Sequence, residues 1–260
     1  VPCPHCSADN PATGSYCRSC GLDRNAPLIW PQAKVYAVRG IGLAAAVAVG
    51  VSAVLTVLGA VLALVPGAMA EQARADRDTD LLQNAYLVEL AITGVDVLGW
   101  LVAAVLVIIW LYRARVNIDA FPEAVPRLAP GWAIGGWFVP LANFVIPCQV
   151  MHQVAAASLR HRRIGLFTGV WWAGYVVSVG TAQIAGRMEP DGYSIDAHVA
   201  YFEDMFTFGM VEAVGTVVAG FFLVKLILSI SRAQAARIGR GRAANVPVSV
   251  APVPSGTIVL

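Results

Sequence analysis

The stretch LAPGWAIGGWFVPLANFVIPCQVMHQVAAASL, residues 128–159, decides the fold. It is long and apolar enough to cross a bilayer, which takes about 20 residues. As one straight helix it reads badly. Pro130, Pro140 and Pro147 interrupt it, and Gly131, Gly135 and Gly136 lie between the first two. Each internal proline removes a helix hydrogen bond and clashes with the preceding turn. Asn143, Gln149, His152 and Gln153 add polar groups that hydrocarbon does not solvate. Broken backbone at membrane depth survives only where protein or a polar cavity covers it. Whether this stretch crosses sets the sidedness of everything after it.

Four other segments are cleaner spans. Residues 40–70 carry no charge and are rich in Ala, Val, Leu and Gly. Residues 81–112 carry Glu89 and Asp96, residues 164–186 are uncharged, and residues 205–230 carry Glu212 and Lys225. The whole chain of 260 residues is 58% hydrophobic and 13% charged, where a soluble domain has roughly 25% charged residues. A chain this poor in charge is built to sit in lipid. Its net charge of +2 gives no support to a nucleic-acid partner.

Basic residues choose the topology. If the four clean segments cross and 128–159 does not, fourteen of the 18 Lys and Arg residues fall on the side of the termini. They include Arg18, Arg24, Lys34, Arg39, Arg113, Arg115, the Arg160–Arg163 cluster and the run from Arg232 to Arg242. Arg74, Arg77 and Arg187 fall on the other side, and Lys225 lies within a span. Basic residues accumulate on the cytoplasmic face, so both termini are expected there, in a multi-pass protein of the cell (inner, plasma) membrane. The stretch 128–159 is then a re-entrant or interfacial hairpin entered from the cytoplasm. Trp132, Trp137, Pro140, Asn143 and Pro147 mark it as a Trp-rich, proline-kinked shelf at headgroup level. The expected fold is all-α: four transmembrane helices plus this hairpin, preceded by a small zinc ribbon.

The ribbon reading rests on Cys3-Pro-His-Cys6 and Cys17-Arg-Ser-Cys20. Two Cys-x-x-Cys knuckles supply four thiolates for one tetrahedral zinc. The intervening residues are polar and turn-rich, and Gly21 follows the second knuckle. A redox dithiol would need one such motif in a βαβ context. His5 reads as an exposed loop residue beside sufficient cysteine ligands. The module is too small to fold without its metal, so zinc is the expected cofactor. Residues 1–27 form this ribbon, 28–39 a linker, 40–232 the membrane domain and 233–260 a cytoplasmic tail. No cleavable leader is expected, and the first apolar segment serves as an uncleaved anchor.

Candidate chemistry inside the membrane is confined to Glu89, Asp96, Glu212 and Lys225. Ionisable residues in spans are costly and often functional. Glu89 and Asp96 are seven residues apart, on one helical face, and all three carboxylates fall in the outer half. A proton relay or cation site competes with plain interfacial and helix-bonding roles. Lys225 is expected to snorkel. His152 with Ser158 lacks a partner acid, Cys148 lacks an activating motif, and no hydrolase, zincin, P-loop or dinucleotide motif is present. The expectation is no enzyme.

At Trp110-Leu-Tyr-Arg-Ala-Arg-Val-Asn117, at Pro130-Gly-Trp-Ala-Ile-Gly-Gly-Trp-Phe-Val-Pro-Leu-Ala-Asn143 and at Pro147-Cys-Gln-Val-Met151, the chain resembles a family of actinobacterial zinc-ribbon membrane proteins of unknown function. The resemblance spans residues 90–230. An aromatic residue is common at the place of Cys148, which implies an inessential thiol. The architecture is also similar to the lipid uptake coordinator subunits associated with mycobacterial Mce lipid importers. That resemblance implies a non-catalytic accessory subunit packed beside a permease, with membrane lipids and transporter subunits as partners. Gly42, Ala46, Gly50 and Ala53, at helical spacing, suit close helix packing and favour docking. The alternative is a small independent carrier, channel or sensor that uses Asp96 and Glu212.

Overall fold

The computed structural model describes residues 1–4, 8–19, 21–159 and 163–244. Helix α1 (Arg39–Leu62) runs through a single turn residue, Ala63, into α2 (Leu64–Asp76). Pro66 accounts for the joint, because its ring nitrogen cannot donate to the Leu62 carbonyl. Arg77 ends α2 in left-handed backbone with φ 54°. Asp78 then caps α3 (Thr79–Ile118), accepting hydrogen bonds from the Asp80 and Leu81 amides at 2.9 and 3.1 Å. A single turn, α4 (Trp132–Gly135), and a longer helix, α5 (Ile146–Ser158), follow. The chain closes with α6 (Ile164–Ala185) and α7 (Ile195–Ala244).

Among the described residues, four helical units are long and apolar enough to cross a membrane: α1 with α2, α3, α6 and α7, of 38, 40, 22 and 50 residues. This is the build of a multi-pass membrane protein. At about 1.5 Å per residue, α3 and α7 exceed the ~30 Å of hydrocarbon by a wide margin. Their surplus length forms polar ends that carry the rest of the structure.

The packing order is α3, α1, α7, α6, with α1 and α7 in the middle. The α6–α7 seam is the tightest. A Cβ on Gly174 would sit 2.9 Å from the Gly215 carbonyl oxygen and the Ala219 nitrogen. Small residues let backbones approach that closely in lipid, where packing replaces the hydrophobic drive. Posts α3 and α6 scarcely touch, so a cleft opens between them, backed by α1 and α7.

Both ends of 128–159 lie at the end of the bundle that carries the N-terminal segment. The Arg115 guanidinium donates to the Leu128 carbonyl, and Gln234 Nε2 donates to Ser158 Oγ at 2.9 Å. Between these anchors the chain passes α4, turns at Ala142–Phe144 and returns as α5. Each proline stands where no helical amide is needed. Pro130 precedes α4, Pro140 is in the turn, and Pro147 is in the first turn of α5. Trp172 Nε1 donates to the Phe144 carbonyl at 2.9 Å and ties the turn to α6.

The terminal end is clasped by buried polar groups. Asn117 Oδ1 accepts from the Tyr36 amide at 2.7 Å, and its Nδ2 donates to the Tyr36 carbonyl at 3.0 Å and to Gln234 Oε1 at 2.9 Å. Gln234 Nε2 also donates to the Ala114 carbonyl at 3.0 Å. Asn117 and Gln234 are fully buried. Arg237 donates to the Leu28 carbonyl and, through both terminal nitrogens, to Glu123 at 2.5 and 2.6 Å, with its guanidinium 4.0 Å over the Phe121 ring. Around this network lies the main core, including Trp110, Leu111, Phe121, Met151, Trp171 and Ile227. A smaller cluster of Ala70, Ala73, Leu82, Ala85, Val199 and Phe202 closes the far end.

Several boundaries differ from the sequence reading. Residues 28–39 are docked rather than a loose connector. Ile29 and Val38 are buried, and the Trp30 amide donates to the Ala120 carbonyl at 2.9 Å. Helix α7 continues through Ala244, so residues 233–244 belong to the bundle; residues 245–260 of the expected tail lie outside the described residues. Charge at Arg232, Arg237, Arg240 and Arg242 reads as a chain end, yet the interleaved Gln234, Ile238 and Gly241 are buried and hold the helix in place.

Candidate functional site

The cleft between α3 and α6 has two halves of opposite chemistry. The half nearer the clasp is an apolar cavity of about 320 Å³. Its walls include Trp100 and Val105 from α3, Trp137 and Phe138 from the hairpin, and Trp171 and Tyr175 from α6. Small residues at the back, Ser52, Ala219 and Gly220, make the room. Trp137 stands edge-on to Tyr175 with ring centroids 5.8 Å apart, and Trp172 stacks on Tyr175 at 5.0 Å. The Trp137 indole N–H is buried without a hydrogen-bond partner.

The far half is a cavity of about 410 Å³ that gathers all three sequence-marked carboxylates. Glu89 and Asp96 come from α3 and Glu212 from α7, with Thr56 and Gly59 of α1 behind them. Asp96 Oδ1 accepts from the Thr56 hydroxyl at 2.7 Å. Glu89 Oε2 is buried with no hydrogen-bond partner. Tyr86 and Tyr201 complete the wall with ring centroids 5.7 Å apart, and the Tyr86 hydroxyl is 2.7 Å from His198 Nδ1. No Lys or Arg lines this cavity among the described residues. The two halves adjoin on every helix. Ser52 and Thr56, Trp100 and Val97, Val179 and Ala182, and Thr216 and Glu212 are successive turns of α1, α3, α6 and α7.

Lys225 stands outside the cleft, its ammonium 4.7 Å over the Phe221 ring. Other sequence candidates are held in structural roles. His152 Nδ1 meets the Thr168 hydroxyl at 3.2 Å, while Ser158 is engaged by Gln234. Burial pushes the Cys148 thiol up, which keeps it protonated. Trp132 is exposed at the start of α4, and the Asn143 side-chain Oδ1 is buried without a partner.

At the N-terminus the described residues fold as two small knuckles. Pro2 bridges Asp9 across the first, and Tyr16 bridges Asp23 across the second. The Cys3 amide donates to the Ala8 carbonyl and the Cys17 amide to the Leu22 carbonyl, at 2.9 and 2.8 Å. Gly21, at φ 70°, supplies the left-handed step that closes the second turn. Cys3 and Cys17 are buried, and Cys17 Sγ accepts from Asn10 Nδ2 at 3.2 Å and from the Ser19 amide at 3.4 Å. Such donors suit a thiolate ligand. Cys6, Cys20 and His5 lie outside the described residues. Among the described residues no group of three or more His, Cys, Asp or Glu side chains is placed to hold a metal ion.

Residues 72–232 match the family described as Domain of unknown function (DUF4328). The chain belongs to this family. No curated protein and no solved structure matches the chain. The DUF4328 region takes in the carboxylates, the hairpin and most of the cleft wall, and leaves the knuckles and all of α1 outside.

Within the DUF4328 region the sequence reading marks the carboxylates and the hairpin residues Trp132 and Trp137; the carboxylates and Trp137 line the cleft, and Trp132 does not. It misses Tyr86 and Tyr201, whose signal is their aromatic character beside buried acids. Just beyond the region it misses Gln234, a lone amide in a long helix. Outside the region it misses Asn10, which bonds the Ala8 carbonyl, the Arg18 amide and Cys17 Sγ and so ties the two knuckles together. The small-residue face of α1 is spent inside the chain. A Cβ on Gly42 would meet Ser231 and Trp110, Ala46 is buried, and Ala53 packs on Gly220, whereas Gly50 faces outward.

Proposed function

We propose that this chain is a non-catalytic accessory subunit of a larger membrane complex, most specifically a lipid importer of the Mce type. In this reading both termini are cytoplasmic, the hairpin 128–159 is re-entrant from that side, and Cys3, Cys6, Cys17 and Cys20 hold one structural zinc. The observation that carries it is the clasp. Asn117 and Arg237 bond Tyr36 and Leu28 to the ends of α3 and α7, and Gln234 braces Asn117 from α7. Buried amides and a guanidinium cost free energy to desolvate, and such networks stand out where a fixed geometry is needed. A segment held this firmly next to the knuckle pair is suited to anchor it where a neighbour could meet it. The basic-residue asymmetry supports the orientation, and the Cys17 sulfur environment supports the metal.

The test is purification from native membranes in gentle detergent, with identification of co-purifying chains. The reading expects a lipid-importer permease or its partners, lost when Arg237→Ala loosens the clasp. Purification of the intact chain alone, from membranes in which such an importer is assembled, would contradict it.

A second reading is favoured by the convergence of Glu89, Asp96 and Glu212 on one cavity. Here the chain is a small independent carrier, channel or sensor. Asp96→Asn would then abolish transport while leaving assembly normal. The accessory reading expects Asp96→Asn to leave importer activity largely intact.

A further inference from the structure

We infer that the cleft between α3 and α6 binds one amphiphile with a cationic nitrogen head, the head among Glu89, Asp96 and Glu212 and the chain against Trp100, Trp137 and Tyr175. The inference builds on the convergence of the carboxylates, but requires neither transport nor docking into a complex.

Three other occupants fit less well. An inorganic cation needs ligands that converge on one point, and the three carboxylates form no metal-holding group. A neutral lipid would fill the apolar half, yet bring no positive charge to the three gathered carboxylates. An anionic lipid would place its head against carboxylates with no Lys or Arg on the wall. Charges of one sign repel strongly where the surroundings are apolar.

A cationic amphiphile satisfies both halves. Its nitrogen gains from the carboxylates and from the Tyr86 and Tyr201 rings, which line the same cavity. Aromatic faces beside acids are a recurrent way to hold alkylated ammonium groups. The adjoining apolar cavity takes a hydrocarbon chain along the same cleft, one helical turn away on each of four helices. Each half is at or above the ~300 Å³ at which ligand pockets begin.

The experiment uses the full chain in nanodiscs of phosphatidylcholine. Two probes are added separately: hexadecyltrimethylammonium brominated in its chain, and the correspondingly brominated hexadecanol. Bromine quenches nearby indoles, and Trp100, Trp137 and Trp171 line the apolar half. The expected result is saturable quenching by the cationic probe and weak, unsaturated quenching by the alcohol. The triple variant Glu89→Gln, Asp96→Asn, Glu212→Gln should raise the half-saturating concentration of the cationic probe at least about tenfold. Ala104→Phe, which fills the cleft from α3, should reduce the quenching amplitude of the bound probe. If the triple variant does not fold, Asp96→Asn alone should raise half-saturation at least about threefold. Equal quenching by both probes, or the same curve for wild type and the carboxylate variants, would overturn the inference.

Discussion

The two ends of this bundle hold polar groups in opposite ways. At the end bearing the knuckles, Asn117, Gln234, Arg115 and Arg237 are buried or nearly so, and each is bonded to backbone or to a matching side chain. At the far end Glu89, Asp96 and Glu212 border a cavity, and Glu89 Oε2 has no partner. Apolar cover follows the same division: a large cluster surrounds the clasp and a small one closes the far end. A polar group inside apolar surroundings costs free energy unless it is bonded. The clasp meets that cost within the chain and so serves the structure. Glu89 Oε2 leaves it unmet, which is the mark of a group kept for something outside the chain.

Disrupting the clasp should therefore have the largest effect. Gln234→Leu takes one partner each from the Asn117 amide, the Ala114 carbonyl and the Ser158 hydroxyl. The expected loss is about 3 kcal/mol of stability, read by thermal unfolding in nanodiscs. A loss below about 1 kcal/mol would mean the network is ornamental.

Next in size is the seam behind the cleft. Gly42→Val pushes a side chain into Ser231 and Trp110 and should cost about 2 kcal/mol. Gly50→Val points outward with nothing near it and should cost less than about 0.5 kcal/mol. Equal effects at both positions would show that the α1 small-residue face serves an external partner after all.

Asn10→Ala leaves the cysteines in place but removes the donor to Cys17 Sγ and the tie to Arg18. On the proposed four-cysteine zinc site, zinc affinity should fall about tenfold, measured by competition with a chromophoric chelator. On the same proposal, a chelator should unfold the knuckles and leave the melting of the bundle unchanged. The smallest effect belongs to Lys225→Gln, on the exposed side of α7, at under about 0.5 kcal/mol.

Residues 128–159 show why part of this was legible from the chain. Proline and glycine spacing forbids a straight span, and the structure places each proline where a helix starts or turns. Four apolar runs are equally plain, because lipid demands uninterrupted hydrocarbon over a fixed length. Their ends were not legible. Helix α7 extends to Ala244 because Gln234, Ile238 and Gly241 are covered by segments distant in sequence, and polar composition there mimics a tail. The carboxylates stood out one by one, and the 3.6-residue period put Glu89 and Asp96 on one face. Their meeting with Glu212 and the Tyr86–Tyr201 pair depends on the packing order of the helices, which no local pattern encodes.

The claim that one end is built to hold and the other to bind is tested most directly by unfolding two variants side by side. Asn117→Ala and the triple variant Glu89→Gln, Asp96→Asn, Glu212→Gln would be melted in the same phosphatidylcholine nanodiscs without added ligand. The account predicts a clear drop in melting temperature for Asn117→Ala and an unchanged or raised one for the triple variant. A triple variant that melts well below wild type, beside an Asn117→Ala protein that does not, would contradict it.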